Sequence, residues 1–317
     1  MTDIDLVLDW TPNTNHTGFY VAAAEGYYAD RGLSVRIRSP AADDYEQTPA
    51  KRVATGGATL AIGPSESVIS YSTHPEYPSL TAVAAVCQTD LSAIVSLADG
   101  DVDRPAELDG GRYASYDARF EDHIVARMIE NDGGEGSFES ITPPKLGIWN
   151  TLLEGDADAT WVFTPWEGLL AERDGIELNA FGLDEYDVPY GYTPVLLARP
   201  ETIEADDDRL ADFLDATAEG YRFAAENPEA AADLLRAEAT GMDADDPEFL
   251  RESQRRVSEA YLTDDGAWGP MATERWGAFV DWLAEEGILT TLDGEPIPAD
   301  DLPPESLFTN ELLPSAN

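Results

Sequence analysis

The chain has 317 residues, and its 19 basic and 63 acidic side chains leave a formal charge of −44. That charge excludes phosphate-rich partners, nucleic acid and anionic membrane alike, because no basic patch could offset it. With 43% hydrophobic residues the chain can still bury a sizeable core, so acidity does not mean disorder, and the length suggests about two domains of roughly 150 residues.

Lys51 and Lys145 are the lysines, and the other basic residues are arginines. The acids are spread along the chain instead of forming a tail, which points to a protein of a salt-loaded cytoplasm, where carboxylates hold a hydration layer and screening blunts their repulsion. The start, Met1 to Asp9, has three acids and no basic segment, so it does not resemble a signal peptide. No apolar run approaches the ~18 residues that cross a membrane. A soluble, cytoplasmic chain is expected unless a leader was removed, and a monomer is the expected state.

In chain order, Ile4 to Leu8 predicts a strand and Gly18 to Tyr28 a helix stopped by Gly32. Ser34 to Arg38 predicts a strand, Tyr45 to Ala54 a helix, Leu60 to Ile62 a strand and Ser65 to Tyr71 a helix. Thr81 to Cys87 reads as a further strand, in which the single cysteine is a small core hydrophobe or, as the competing reading, a nucleophile. The pattern restarts with strand Arg112 to Ser115, helix Asp122 to Glu130, strand Ala159 to Phe163 and helix Pro165 to Arg173. This alternation predicts an α/β fold with largely parallel sheets. A faint echo, Gly56 to Glu66 against Gly155 to Glu167, suggests two similar lobes: both run from a glycine turn through a short strand to Pro-X-Glu.

After Pro194 the chain reads as mostly helical. Leu210, Phe213, Leu214, Tyr221 and Ala224 mark one apolar face and Trp276, Phe279 and Leu283 another, and Asn227-Pro228-Glu229 is a good helix start with an Asn cap. The proline-rich stretch from Pro296 to Asn317 is expected to wrap the surface.

The segment Asp9-Trp10-Thr11-Pro12-Asn13-Thr14-Asn15-His16 joins the first strand to the first helix. In an open α/β sheet ligands bind outside the carboxyl ends of the strands, so this loop sits where a ligand would be. It offers a flat aromatic face, amides, hydroxyls and an imidazole, a donor and acceptor set suited to a small polar heterocycle. Helix capping by Asn13, Thr14 or Asn15 is an equally good account of the same residues.

Asp9 to Tyr20, followed by Glu25 to Val35, closely resembles the SsuA/THI5-like family, which groups ABC-transporter receptors for thiamine-pyrimidine precursors with the fungal thiamine-pyrimidine synthase. Asn227 to Ala231 is similar to that family as well. The resemblance implies a two-lobed periplasmic-binding-protein-like fold of type II, with a ligand cleft between lobes. Residues 1–88 plus 193–317 would form a discontinuous first lobe and 89–192 an inserted second. It implies an aminopyrimidine as ligand, of hydroxymethyl, aminomethyl or formylaminomethyl type, and an ABC permease as partner.

Carried over by position, Trp10 would stack on the pyrimidine, and Asn13 and His16 would line the cleft, with Tyr20 facing either the core or the ligand. Glu167 would face the ring, since a carboxylate accepts from an exocyclic amine and stabilises a protonated ring nitrogen; its other reading is a helix-dipole partner. Glu66, its counterpart in the echo, and Trp166 are further candidates. Tyr116 in Ser115 to Glu121 is a candidate for stacking. Related receptors hold an anionic or polar tail there through main-chain N–H groups, but Asp117, Glu121 and Asp122 crowd the spot, favouring a neutral or cationic tail. Tyr190 or Tyr192, in Val188 to Pro194, either touches the ligand or packs a hinge.

The synthases in the family bind pyridoxal phosphate on a lysine, consume a histidine and hold iron with a cysteine-rich motif. The matching stretches here, Gly63 to Ser67 and Tyr190 to Pro194, contain none of those residues. Neither that cofactor nor iron is therefore expected, and His16, His74 and His123 are too scattered for a zinc motif. Binding without chemistry leads, with a divergent pyrimidine synthase as the alternative.

Overall fold

The computed structural model describes residues 2–145, 148–242 and 244–314. Its strands, in chain order, are β1 (Thr2–Val7), β2 (Leu33–Arg38), β3 (Leu60–Gly63), β4 (Thr81–Ala85), β5 (Ser92–Leu97), β6 (Arg112–Ala114), β7 (Glu139–Ile141), β8 (Ala159–Phe163), β9 (Leu178–Phe181) and β10 (Val195–Ala198). Its helices are α1 (Thr17–Ala24), α2 (Tyr27–Asp30), α3 (Pro49–Ala54), α4 (Ser65–Ser72), α5 (Glu121–Asn131), α6 (Ile148–Leu153), α7 (Leu169–Asp174), α8 (Pro200–Ala205), α9 (Asp207–Glu226), α10 (Pro228–Glu238), α11 (Pro247–Ser258) and α12 (Thr273–Glu285). None of the described helices is long and apolar enough to cross a membrane.

The chain divides into two units, one of residues 1–90, 191–284 and 289–317, the other of residues 91–190 and 285–288. The first holds a five-stranded sheet in the order β2-β1-β3-β10-β4. Its inner strands β3 and β10 are buried at every residue, as an apolar run covered on both faces must be, while edge strand β2 keeps five of six residues partly or fully exposed. β1 pairs in parallel with β2 and β3, but β10 runs antiparallel to both β3 and β4. The sheet is mixed, not largely parallel, and Val195–Ala198 is a strand in a stretch expected to be helical. The cause is long-range pairing: β10 is inserted between two strands more than 100 residues earlier.

α1 crosses α9 at close range. Phe19 lies edge-on to Tyr221 at 5.3 Å and Tyr28 stacks on Phe213 at 5.3 Å. The approach depends on glycines from both helices: a Cβ on Gly220 would lie 2.1 Å from the Gly18 carbonyl oxygen, and one on Gly18 would lie 2.2 Å from the Tyr221 ring. The expected helix from Gly18 to Tyr28 is broken into α1 and α2 at Gly26, whose φ of 82° no helix accommodates. α3 starts only at Pro49, capped by the Thr48 side chain, so Tyr45 falls in a turn and not in a helix. Asn227 precedes α10 without capping it, because its Nδ2 donates backwards to the Phe223 carbonyl. Cys87 lies two residues past β4 and is buried, and burial pushes its thiol pKa up. The C-terminal stretch does more than wrap the surface: Ala82 of β4 donates to Leu307 O and accepts from Thr309 N, both at 2.9 Å, covering an otherwise open sheet edge.

The second unit holds the order β7-β6-β8-β5-β9. β6 is parallel to β7 and β8, whereas β5 is antiparallel to β8 and β9, so its topology repeats that of the first unit strand for strand. The echo in the sequence falls on β3 with the start of α4 and on β8 with the turn Thr164–Gly168 that leads into α7, each entered from a glycine at positive φ, Gly56 at 78° and Gly155 at 75°. Alternate residues of β5 go to opposite faces: Ala93 and Val95 pack with Leu152 and Val162, while Ile94 faces a layer including Val125, Met128 and Ile129.

Asp109 ties this unit together at a loop, accepting from the main-chain N–H groups of Glu135 at 2.5 Å and Ser137 at 2.9 Å. These bonds hold its carboxyl below the ordinary value of 3.8, as Arg104 does for Asp132. A depressed folded pKa gives stability that is present above the unfolded value and is lost as pH falls through the folded one. Asp109→Asn should therefore be less stable than wild type at pH 6, with the gap in urea midpoint closing as pH falls below about 4. A gap that stays constant down to pH 3 would contradict the assignment.

Candidate functional site

At the carboxyl end of β1 the chain turns through Asp9–Asn13 into a 3-10 turn, Thr14–His16, that opens α1. Asn13 caps this turn: its Oδ1 accepts from Asn15 N at 2.9 Å and its Nδ2 donates to Thr11 O at 3.2 Å. His16 is fully buried. Its Nδ1 accepts from Asn13 N at 3.1 Å, which places the proton on Nε2, 2.7 Å from Asp9 Oδ1. Asn13 and His16 thus spend their polar atoms inside the loop and form its frame; the open cleft-lining positions expected for them are not what these bonds provide. His16→Ala should cost roughly 2–4 kcal/mol, from a lost charge-assisted bond and an unfilled cavity. Thermal melts would show it, and an unchanged midpoint would refute the framing role.

Behind the loop stands a second layer that sequence inspection missed. Tyr221 OH donates to Asn15 O at 2.7 Å, Thr14 Oγ1 and Ser253 Oγ are 2.7 Å apart, and Thr17 Oγ1 donates to Gln254 Oε1 at 2.5 Å. Gln254 Nε2 donates to Ser258 Oγ at 3.0 Å and to Tyr261 Oη at 3.1 Å, and Tyr261 donates in turn to Thr14 O. Thr11 and Asn13 to Thr17 are all buried, and of these Thr14, Asn15 and Thr17 are held by partners from α9, α11 and the segment after α11. A signal was present: Ser253 and Gln254 interrupt the apolar face of Phe249, Leu250 and Val257 at helical spacing. Tyr20 is buried in α1, which pushes its phenol pKa up.

What this frame presents is Trp10. The indole is half-buried, 5.9 Å from the Tyr45 ring at an interplanar angle of 55°. Ser39 Oγ donates to Trp10 O at 3.3 Å and Tyr45 OH donates to Asp9 O at 2.8 Å, so the loop after β2 fixes the backbone around the ring. Tyr45 and Asp44 both have positive φ, 58° and 52°. For a bulky side chain that conformation costs roughly 1–3 kcal/mol and persists only where its surroundings enforce it, a pattern that marks functional loops. Nothing in Asp-Tyr announces it in sequence. Glu66 lies at the first turn of α4, past β3 and next in the sheet to β1, and is buried to 3% exposure.

Tyr192 is buried; its Oη accepts from Ala272 N at 3.0 Å and its ring carries the Arg275 guanidinium at 4.1 Å. Arg275 also donates to Gln88 O at 2.5 Å and Gly191 O at 2.8 Å, gripping the two segments where the chain leaves and re-enters the first unit. Tyr192 is thus packed within the first unit.

In the second unit the loops after the adjacent strands β6 and β8 come together. Tyr116 OH donates to Trp161 O at 3.1 Å, and Trp161 lies 5.2 Å from the Tyr190 ring. All three aromatic residues are half-buried. Past β8 the chain makes one wide π-type turn, Thr164–Gly168, before α7. Glu167 is half-buried, its Oε2 accepting from Phe163 N at 3.1 Å, whereas Trp166 is buried to 1% exposure and belongs to the packed interior. Trp10, Asn13, His16 and Glu66 thus lie on segments that follow the neighbouring strands β1 and β3 of the first unit, while in the second Tyr116 and Tyr190 meet around Trp161 and Glu167 follows the same strand β8. Among the described residues no cluster of His, Cys, Asp or Glu has the geometry of a metal site.

Comparison with known proteins agrees with this architecture. The formylaminopyrimidine-binding protein of Halalkalibacterium halodurans is 28% identical over 303 residues, covering 94% of this chain and 88% of that protein. Among solved structures, the alkanesulfonate-binding protein SsuA of Xanthomonas axonopodis pv. citri superposes with a TM-score of 0.70 at 11% identity, covering 92% of this chain and 95% of that one. A Candida albicans protein described as having the generic periplasmic binding protein fold superposes at 0.69 with 14% identity, covering 98% and 97%. The fold is that of the periplasmic binding proteins. The NMT1/THI5-like family model matches residues 13–231, well over half of the sequence, and the chain therefore belongs to the NMT1/THI5-like family.

Proposed function

We propose that this protein is a substrate-binding protein for a thiamine-precursor aminopyrimidine, serving uptake through an ABC permease or salvage. The observation that carries the reading is the half-buried Trp10 indole at the carboxyl end of β1, flanked by Tyr45 and set on a loop whose buried polar groups are held by hydrogen bonds. A rigid aromatic shelf suits a flat heterocycle, because the surface is ordered before the ligand arrives and little entropy is lost on stacking. The name of the Halalkalibacterium halodurans relative supports a formylaminopyrimidine or a close analogue. In the second unit Glu167 supplies a carboxylate of the right chemistry for an exocyclic amine.

Titration calorimetry with hydroxymethyl-, aminomethyl- and formylaminomethyl-pyrimidine tests the reading. Molar KCl shortens the Debye length to about 3 Å and so screens the −44 charge. One-to-one binding of at least one of the three is expected. Heat no larger than dilution for all three, with a cooperative melt, would overturn it.

A further inference from the structure

We propose that Glu121 is a built-in anion that occupies a main-chain cradle in the second unit and so determines that the ligand carries no acidic group there. The loop from Ser115 to Phe120 ends at α5, and Asp117 within it has a φ of 58°, turning successive N–H groups inward. Tyr116 N donates to Glu121 Oε1 at 3.0 Å and Ala118 N donates to Oε2 at 3.2 Å. The Asp117 N–H is taken by Ser115 Oγ at 3.0 Å. From below, Tyr113 OH donates to Oε1 at 2.8 Å. The three groups hydrogen-bonded to the carboxylate are all donors, as an ionised acid requires, and they bind it against the like charge of Asp122 nearby.

Glu121 is 2% exposed, yet Asp117 and Ala118 directly above it are exposed, so the cradle lies one side chain below the surface. Burial pushes the Glu121 carboxyl up from its ordinary value, and the three bonds oppose that shift. Tyr113 is itself fully buried, which keeps its phenol protonated and donating. Lys145, one of two lysines in the chain, interacts favourably with Asp117 and Glu121 and adds positive potential to the same corner. These are the parts of an anion site, and the chain has filled it with its own carboxylate. An external phosphate, sulfonate or carboxylate finds the donors taken and meets like charge.

Removing the side chain should reopen the cradle. Glu121→Ala is expected to melt several degrees below wild type in KCl. At constant ionic strength, replacing chloride by formate or acetate should restore much of that loss in a saturable way, with no comparable shift in wild type. An equal response in variant and wild type would overturn the proposal. Glu121→Gln keeps the volume but turns an amide donor toward the main-chain donors, so it should be less stable than wild type and gain nothing from formate. A Gln variant as stable as wild type would show that the donors do not require an anion, whether or not the Ala variant folds.

The ligand arm rests on the aminopyrimidine reading. Wild type should prefer hydroxymethylpyrimidine to its phosphate ester, and Glu121→Ala should gain at least tenfold in affinity for the ester relative to the alcohol. A formate-rescued variant without that gain, in a protein that binds the alcohol, would reduce Glu121 to a structural role. If no pyrimidine binds at all, the functional reading fails while formate rescue still decides the cradle.

Discussion

Trp10→Ala is expected to weaken pyrimidine binding by about 10- to 100-fold, since stacking of a nucleobase-like ring on an aromatic side chain contributes roughly 1–3 kcal/mol. The loss should appear in affinity and hardly in folding. The indole is only half-buried, and the bonds that set the loop pass through main-chain atoms and deeper side chains: Ser39 to Trp10 O, Tyr45 to Asp9 O, His16 to Asp9. Trp10→Phe keeps a smaller π face and should fall between. Glu167→Gln can still accept from Phe163 N through its amide oxygen, so its turn should survive while the charge offered to an amine is lost. Calorimetry on the three variants, with melts as controls, separates these effects. Wild-type affinity in Trp10→Ala would remove the shelf from the account of binding.

Gly220→Ala should be strongly destabilising, with a loss of about 3 kcal/mol or more and a corresponding fall in urea midpoint. Its Cβ would sit 2.1 Å from the Gly18 carbonyl oxygen. That oxygen belongs to the backbone of α1 and cannot rotate away as a flexible side chain would. Separating α1 from α9 also strains the site, because Tyr221, the next residue, donates to Asn15 O in the Trp10 loop. The variant should therefore lose ligand affinity along with stability, unlike Trp10→Ala. A midpoint within error of wild type would mean that the helices do not approach as described.

Local signals were legible wherever a short apolar run met a turn residue. The strand Ala159–Phe163 has the bounds its residues suggested, and β3 with α4 differs from expectation by a residue at most at each end. The apolar stripes of α9 and α12 are buried as their spacing implied. Strands β5, β7, β9 and β10 escaped, because a three- to six-residue run such as Val195–Ala198 is recognised by what it pairs with, and its partners lie far away in sequence. The helix expected from Tyr45 failed for a different reason. The positive φ of Tyr45 runs against the preference of a bulky side chain and is imposed by its neighbours, whereas Asp44 before it tolerates the left-handed region.

The sequence by itself determined the class of fold, the repeat of strand and helix in two halves, and the loop where Trp10 stands at a strand's carboxyl end. It also determined an inventory of polar atoms in Asp9 to Thr17, which could equally have capped a helix or met a ligand. Tertiary structure decided which of those atoms pair within the fold. Partners up to 247 residues away, Ser253, Gln254 and Tyr261 among them, engage the buried hydroxyls and carbonyls of the loop, Asn13 and His16 engage one another, and the indole stays half-buried against Tyr45. The physical reason is that a buried donor or acceptor must find a partner, and which one it finds depends on what folding brings near it.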